Sequence, residues 1–162
     1  MKFVIDGMLG KLARWLRTMG HDVEYSNSTD DSMLLTIAKQ QHRILLTRDF
    51  ALYQHAVAKE IEAFYVEGQT EQERLAALAM RFGISLEIDM ATSRCPKCNT
   101  PVKPVSTEKV ADRVEKSTLE HIFNFWECPR CGQVYWQGAH WTKIRETLEI
   151  SSNLRKLKKG SV

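Results

Sequence analysis

Along the first ninety residues the apolar positions switch repeatedly between two periods. Phe3-Val4-Ile5 and Ile44-Leu45-Leu46 are continuous apolar runs that stop on polar residues, Asp6 in the first case and Thr47-Arg48-Asp49 in the second. Short unbroken runs of this kind predict strands buried on both faces, over 2–6 and 43–47. Between them Met8, Leu9, Leu12, Trp15, Leu16 and Met19 recur at three- and four-residue steps. That spacing predicts an amphipathic helix, with Gly20 stopping it. His21–Tyr25 follows as a short strand. Asp30 or Asp31 then caps a helix with the apolar stripe Met33, Leu34, Ile37 and Ala38. A helix near 50–59 and a strand over Ala63–Val66 come next. Thr70 and Glu73 form a capping box ahead of Leu75, Leu78, Ala79 and Phe82, with Gly83 as the stop. Strand and helix in alternation predict an α/β fold, a parallel sheet flanked by helices.

From about residue 91 the pattern changes. All four cysteines fall in two C-x-x-C pairs, Cys95/Cys98 and Cys128/Cys131, which bracket residues 99–127. Each pair suits a tight turn that aims two sulfurs at one ion, and two such knuckles complete a tetrahedral thiolate site. Zinc is the expected ion, with rubredoxin-like iron as the competitor. Four protein thiolates leave no open position, so the site is structural. The chain therefore divides into an expected first domain over 1–90, a zinc ribbon over 91–150, and a basic tail over 151–162 that is expected to fray.

Composition adds little beyond this. The 162 residues are 43% hydrophobic and 27% charged, ordinary for a globular chain with room for one domain and a small appendage. No apolar run approaches the roughly 18–20 residues of a membrane span, and the amino terminus lacks a signal-peptide layout, so a cytoplasmic location is expected. Charge is unequal: residues 1–90 carry 10 Lys and Arg against 13 Asp and Glu, residues 91–162 carry 13 against 7. A zinc tetrathiolate would subtract about two charges from the second part, leaving a mild basic bias compatible with nucleic acid. Nothing in the sequence sets the oligomeric state.

The candidate chemistry lies at the strand ends. Parallel strands of an open α/β sheet present their carboxyl ends to one crevice. Asp6 and Asp49 end two strands, and Asp30-Asp31 begins a helix between them. Acids gathered there repel unless a cation neutralises them, and Mg²⁺ or Mn²⁺ is the hard, oxygen-preferring choice. Asp31 is favoured over Asp30 as ligand, and Glu67 is a possible fourth acid. An asparagine at position 6 or 49 is expected to relieve repulsion. Past the second knuckle, Tyr135 and Trp136 are expected to pack the ribbon against the first domain, with base stacking as the alternative; His140 could meet a phosphate.

Asp6-x-Met8-Leu9-Gly10-Lys11-Leu12-Ala13-Arg14-Trp15-Leu16-Arg17, the pair Asp30-Asp31, Leu45-Leu46-Thr47-Arg48-Asp49, and the closing Tyr135-Trp136-x-Gly138-x-His140-Trp141 together resemble the Mut-seven C-terminal RNase family over about residues 1–145. The resemblance implies a PIN-like nuclease fold followed by a zinc ribbon, and a metal-dependent ribonuclease acting on RNA. In that setting Asp6, Asp31 and Asp49, with Asp30 beside them, hold Mg²⁺ or Mn²⁺. Lys11, Arg14 and Arg48 are the expected phosphate clamps, Arg17 a structural residue and Trp15 a core residue. Two other classes compete. One is a non-catalytic RNA-binding module in which the acids serve only as caps. The other is a small phosphatase-like hydrolase or a receiver-like phosphoacceptor, the latter disfavoured because no lysine stands at a later strand end.

Overall fold

The computed structural model describes residues 1–159, the side chain of Lys159 excepted. The first part is a four-stranded, all-parallel sheet in the order β2-β1-β3-β4, from β1 (Lys2–Ile5), β2 (Asp22–Tyr25), β3 (Ile44–Thr47) and β4 (Ala63–Tyr65). Helices α1 (Gly10–Thr18), α2 (Asp31–Gln41), α3 (Phe50–Ala58) and α4 (Glu71–Phe82) make the connections. The expected α/β fold is therefore observed. A 3₁₀ turn over Gly7–Leu9 precedes α1, because Asp6 caps that turn before the helix starts.

Alternation along the central strands explains their unbroken apolar runs. Phe3, Ile5, Ile44 and Leu46 pack with Leu12, Leu16, Leu75 and Leu78 of α1 and α4. Val4 and Leu45 pack on the opposite face with Leu34, Leu52 and Ala56 of α2 and α3. Both faces are covered, so neither face needs polar residues. The Thr70/Glu73 capping box is formed, and Gly83 closes α4 at φ +68°. Trp15 packs against the core, as expected.

The second part is a three-stranded antiparallel sheet, β5 (Lys103–Val105), β6 (Phe125–Glu127) and β7 (Val134–Trp136), with short helices α5 (Thr107–Val110) and α6 (Lys116–Leu119) in the charged connection. Val110, Val114, Phe125 and Val134 make its small separate core. Helix α7 then runs over Trp141–Lys159 and packs along α4. This corrects the expected fraying tail from residue 151. Leu148 enters the core of the first part and Ser151 is fully buried, so packing carries the helix through the polar stretch. The last three residues of that expected tail lie outside the described residues. Among the described residues no helix is long and apolar enough to cross a membrane.

Candidate acidic edge and metal centre

Asp6 leaves β1 at the point where the strand order reverses: the chain goes out to β2 on one side and returns to β3 on the other. Its N–H donates to Leu46 O at 3.2 Å, which extends the β1–β3 ladder by one step. The residue is 5% exposed. Oδ1 accepts from Met8 N–H at 2.6 Å; Oδ2 accepts from the Thr47 hydroxyl and from Arg48 N–H at 3.2 Å. A buried carboxylate is tolerable only with such donors. Three of its roughly four lone-pair sites are used, and one is left for a further partner.

Thr47 joins this residue to the next. While its hydroxyl donates to Asp6, the same oxygen accepts from Asp49 N–H at 2.9 Å. Asp49 is exposed and caps α3, its Oδ1 accepting from Leu52 N–H at 3.1 Å. Asp30 caps α2: hydrogen bonds from Met33 N–H and then the Ser32 hydroxyl, both 2.8 Å, hold its carboxyl below the usual range. Asp31 is the first residue of α2 and is exposed. Glu67, two residues beyond β4, is also exposed. Asp6 and Asp49 thus end adjacent strands, with Asp31 at the start of the neighbouring helix. The three carboxylates do not close into a set within 4.8 Å of one another, which among the described residues only the cysteines do. Asp6 and Asp49 are each turned toward their own backbone donors, and like charges gain nothing by closer approach.

Lys11 and Arg14 are exposed on α1 one turn apart, and Arg48 is half-buried between Thr47 and Asp49. Apolar side chains flank the same edge; two of them, Met8 and Met33, are expected from their spacing to lie in the buried stripes of their helices and instead face outward. Met8, Met33 and Phe50 are 73%, 51% and 57% exposed, each within two positions of one of the aspartates. Phe50 also stands edge-on to Tyr65, with ring centroids 5.7 Å apart. The available signal was an apolar residue one or two positions past an acid at a helix start.

The thiols of Cys95, Cys98, Cys128 and Cys131 lie within 4.8 Å of one another. Cys95 and Cys131 sulfurs are 3.6 Å apart, Cys98 and Cys128 sulfurs 3.4 Å. Sulfurs at about 2.3 Å from a tetrahedral zinc stand ~3.8 Å apart, so the set fits zinc with small adjustment. The knuckles are built alike. Cys95 O accepts from Asn99 N–H and Cys128 O from Gly132 N–H, each at 2.9 Å. Asn99 and Gly132 both take left-handed backbone, φ +67° and +71°. Asn and Gly are the residues that enter that region at least cost. The Tyr135 hydroxyl lies 3.0 Å from Cys95 Sγ, and Trp136 packs on Phe125, so these contacts lie within the ribbon and not, as expected, against the first part of the chain.

Arg17 is the structural residue expected, and it fastens the ribbon to the sheet. Buried to 6% exposure, it donates through Nε and Nη2 to Val23 O and through Nη1 to Pro96 O and Lys97 O, at 2.8–3.2 Å. Asn99 completes the joint. Its Oδ1 accepts from Val23 N–H at 3.0 Å, and its Nδ2 donates to Asp22 at 2.7 Å. The outer edge of β2 is thereby covered by the first cysteine knuckle. Burial works against the charge of Asp22, but hydrogen bonds from Arg43 and Asn99 hold its carboxyl below the usual range. His140 is exposed at the start of α7.

A family model described as Mut7-C RNAse domain matches residues 1–148. No curated protein and no solved structure matches the chain at a significant level.

Proposed function

Because the chain belongs to the Mut7-C RNAse domain family, we propose that it is a ribonuclease cleaving RNA phosphodiester bonds with Mg²⁺ or Mn²⁺ at a PIN-like acidic edge. The observation that carries the reading is the Asp6–Thr47–Asp49 relay at the reversal point of a parallel sheet, where ligands of such sheets bind. Asp6, Asp49 and Asp31 are the residues that would hold the ion. Their donors are hard carboxylate oxygens, Asp6 keeps one free lone-pair direction, and Asp49 keeps Oδ2 beyond its cap bond. The chemistry such an ion supplies when bound is activation of water near neutral pH and neutralisation of phosphoryl charge.

The protein's own contribution is position. Three donors fix Asp6, so its free oxygen direction is set before substrate arrives. Lys11, Arg14 and Arg48 would hold the phosphates on either side of the cleaved bond, arginine in forked fashion. The zinc ribbon would hold the groove beside α1 in shape and take no part in the chemistry, since four thiolates leave no open position.

One observation favours a second reading, an RNA-binding module without cleavage: Asp6, Asp30 and Asp49 all serve as caps. Mn²⁺ titration followed by calorimetry, with cleavage of a fluorescent single-stranded RNA, separates the two. Binding and cleavage lost together in Asp49→Asn support the nuclease; RNA binding with no Mn²⁺ uptake and no cleavage supports the module.

A further inference from the structure

Between the ribbon and the first part of the chain lies a cavity of about 320 Å³, whose use the acidic edge does not explain. Trp136, Trp141 and Tyr135 bring aromatic surface to it, Val102 and Ile144 aliphatic surface, and Arg94 and His140 polar ends. Its size falls at the lower end of small-molecule sites. The lining keeps that aromatic surface in place. A Cβ on Gly138 would meet the Trp136 indole nitrogen at 2.9 Å, so glycine there leaves room for the indole. His140 stands edge-on to Trp141, ring centroids 6.3 Å apart.

The cavity is not isolated. A neighbouring cavity shares its walls Pro96, Gln133 and Tyr135 and continues past Lys97 and Arg14 to Gly10 and Tyr25. Tyr25 donates to Gly7 O at 3.2 Å, one residue beyond Asp6. A third hollow runs by Lys11, Arg14 and Thr18 along α1 and meets the first at Thr18, Pro96 and Ile144. Together these hollows follow α1 from Gly10, four residues past Asp6, to the aromatic cavity, with Lys11, Arg14 and Lys97 along them. Nine helical residues rise roughly 13 Å, on the order of four nucleotides of a stacked single strand at ~3.4 Å each, and fewer if the strand is extended.

We propose that the aromatic cavity receives one unpaired nucleobase of the RNA, two to four nucleotides from the bond at the acidic edge, while Arg14 and Lys97 carry the intervening phosphates. The occupant follows from the lining: flat aromatic surface for a base, two polar groups for its edge or adjoining phosphate, and a cationic path leading in. Duplex RNA would not fit, because its bases are paired and stacked. The proposal rests on the ribonuclease reading for the position of the cleaved bond, though not for the binding of the base.

The test leaves the protein intact. A single abasic residue is moved along a fluorescein-labelled single-stranded RNA ten nucleotides long, and affinity is read by anisotropy on the zinc-loaded wild type without Mg²⁺ or Mn²⁺. One position should lose roughly tenfold in affinity, the scale of one lost base–aromatic stack. That dip should vanish in Trp141→Leu and return in Trp141→Phe, all three proteins giving the same circular dichroism. A flat profile in the wild type, or an undiminished dip in Trp141→Leu, would overturn the proposal. Cleavage with Mn²⁺ is then measured on the same RNAs. A dip without any cleavage would uphold the base site and sink the ribonuclease reading; cleavage with a flat profile would do the reverse.

Discussion

Thr47 donates its hydroxyl hydrogen to Asp6 Oδ2 while the hydroxyl oxygen accepts from Asp49 N–H at 2.9 Å. A single buried side chain on β3 thus sets both the end of β1 and the start of α3. Thr47→Val keeps the volume but leaves a buried carboxylate short of a donor and an N–H short of an acceptor. Stability should fall by about 1–3 kcal/mol in urea titration. Mn²⁺ affinity should fall about 10- to 100-fold, the usual scale for a group that orients a metal ligand. Thr47→Ser should recover most of the metal affinity; equal loss in both variants would point to packing alone.

Asparagine at positions 6 and 49 should abolish Mn²⁺-dependent RNA cleavage in both cases, with unequal effects on the fold. Charge alone predicts relief of repulsion at both positions. At Asp6 the structure argues for a loss instead. The carboxylate accepts three hydrogen bonds, and an amide NH₂ would set donor against donor, costing on the order of 1–3 kcal/mol. Asp49→Asn keeps a good cap for α3 and should change stability by only a few tenths of a kcal/mol. Urea midpoints beside single-turnover cleavage check both statements.

The three arginines in or beside the groove should behave in two different ways. Arg14→Ala and Arg48→Ala should weaken RNA binding, each by the ~1.5–3 kcal/mol of a charge-assisted phosphate contact, and flatten its salt dependence. Arg17→Ala should lower stability by at least ~2–3 kcal/mol, because Val23 O, Pro96 O and Lys97 O lose their charged donor. Lysine should not restore it, having no fork to reach three carbonyls. A normal melt for Arg17→Ala would refute the joint described here.

Cys98→Ser or zinc chelation should loosen the ribbon and, through it, the edge of β2. Asn99 follows Cys98 directly and supplies the acceptor for Val23 N–H. Tryptophan emission should shift to the red as Trp126 and Trp136 become exposed, while the parallel sheet keeps its far-ultraviolet signature. Metal analysis should give one zinc per wild-type chain; one iron would preserve the geometry and change the ion.

Acid should destabilise the protein in two windows. Burial and then the Met1 amino group push His21 down to about 4, so the folded chain holds it neutral. Between pH ~6.5 and ~4 the unfolded chain binds one more proton at this residue than the folded one. Stability should therefore fall with pH there, by up to ~1.4 kcal/mol per unit and less in practice, since the ring is not fully enclosed. Below that window Asp22, whose folded carboxyl is also held low, adds its own loss. Urea titrations at pH 7 and 5 on wild type and His21→Gln should show the slope shrink in the variant; an equal slope would place the acid sensitivity elsewhere.

What the sequence determined by itself is the local and the covalent. Period and caps marked out the strands and helices of the first part, because a run such as Ile44-Leu45-Leu46 has little alternative to a doubly covered strand. Spacing marked the thiolate site, because C-x-x-C can aim both sulfurs without help from the rest of the chain. What the sequence could not decide depends on partners distant along the chain. A structural role for Arg17 was legible, but its partners were not, and Asn99 looks like an ordinary surface residue until Val23 stands beside it; those contacts fix how the ribbon covers β2. Polar residues after 150 read as a fraying tail because only α4 gives α7 a surface to bury against. The aspartates could be listed from their positions at strand ends and helix starts. How Asp6 and Asp49 are turned was set by Thr47 and the backbone donors, since each of these two carboxylates goes to the hydrogen bonds that the folded chain offers it.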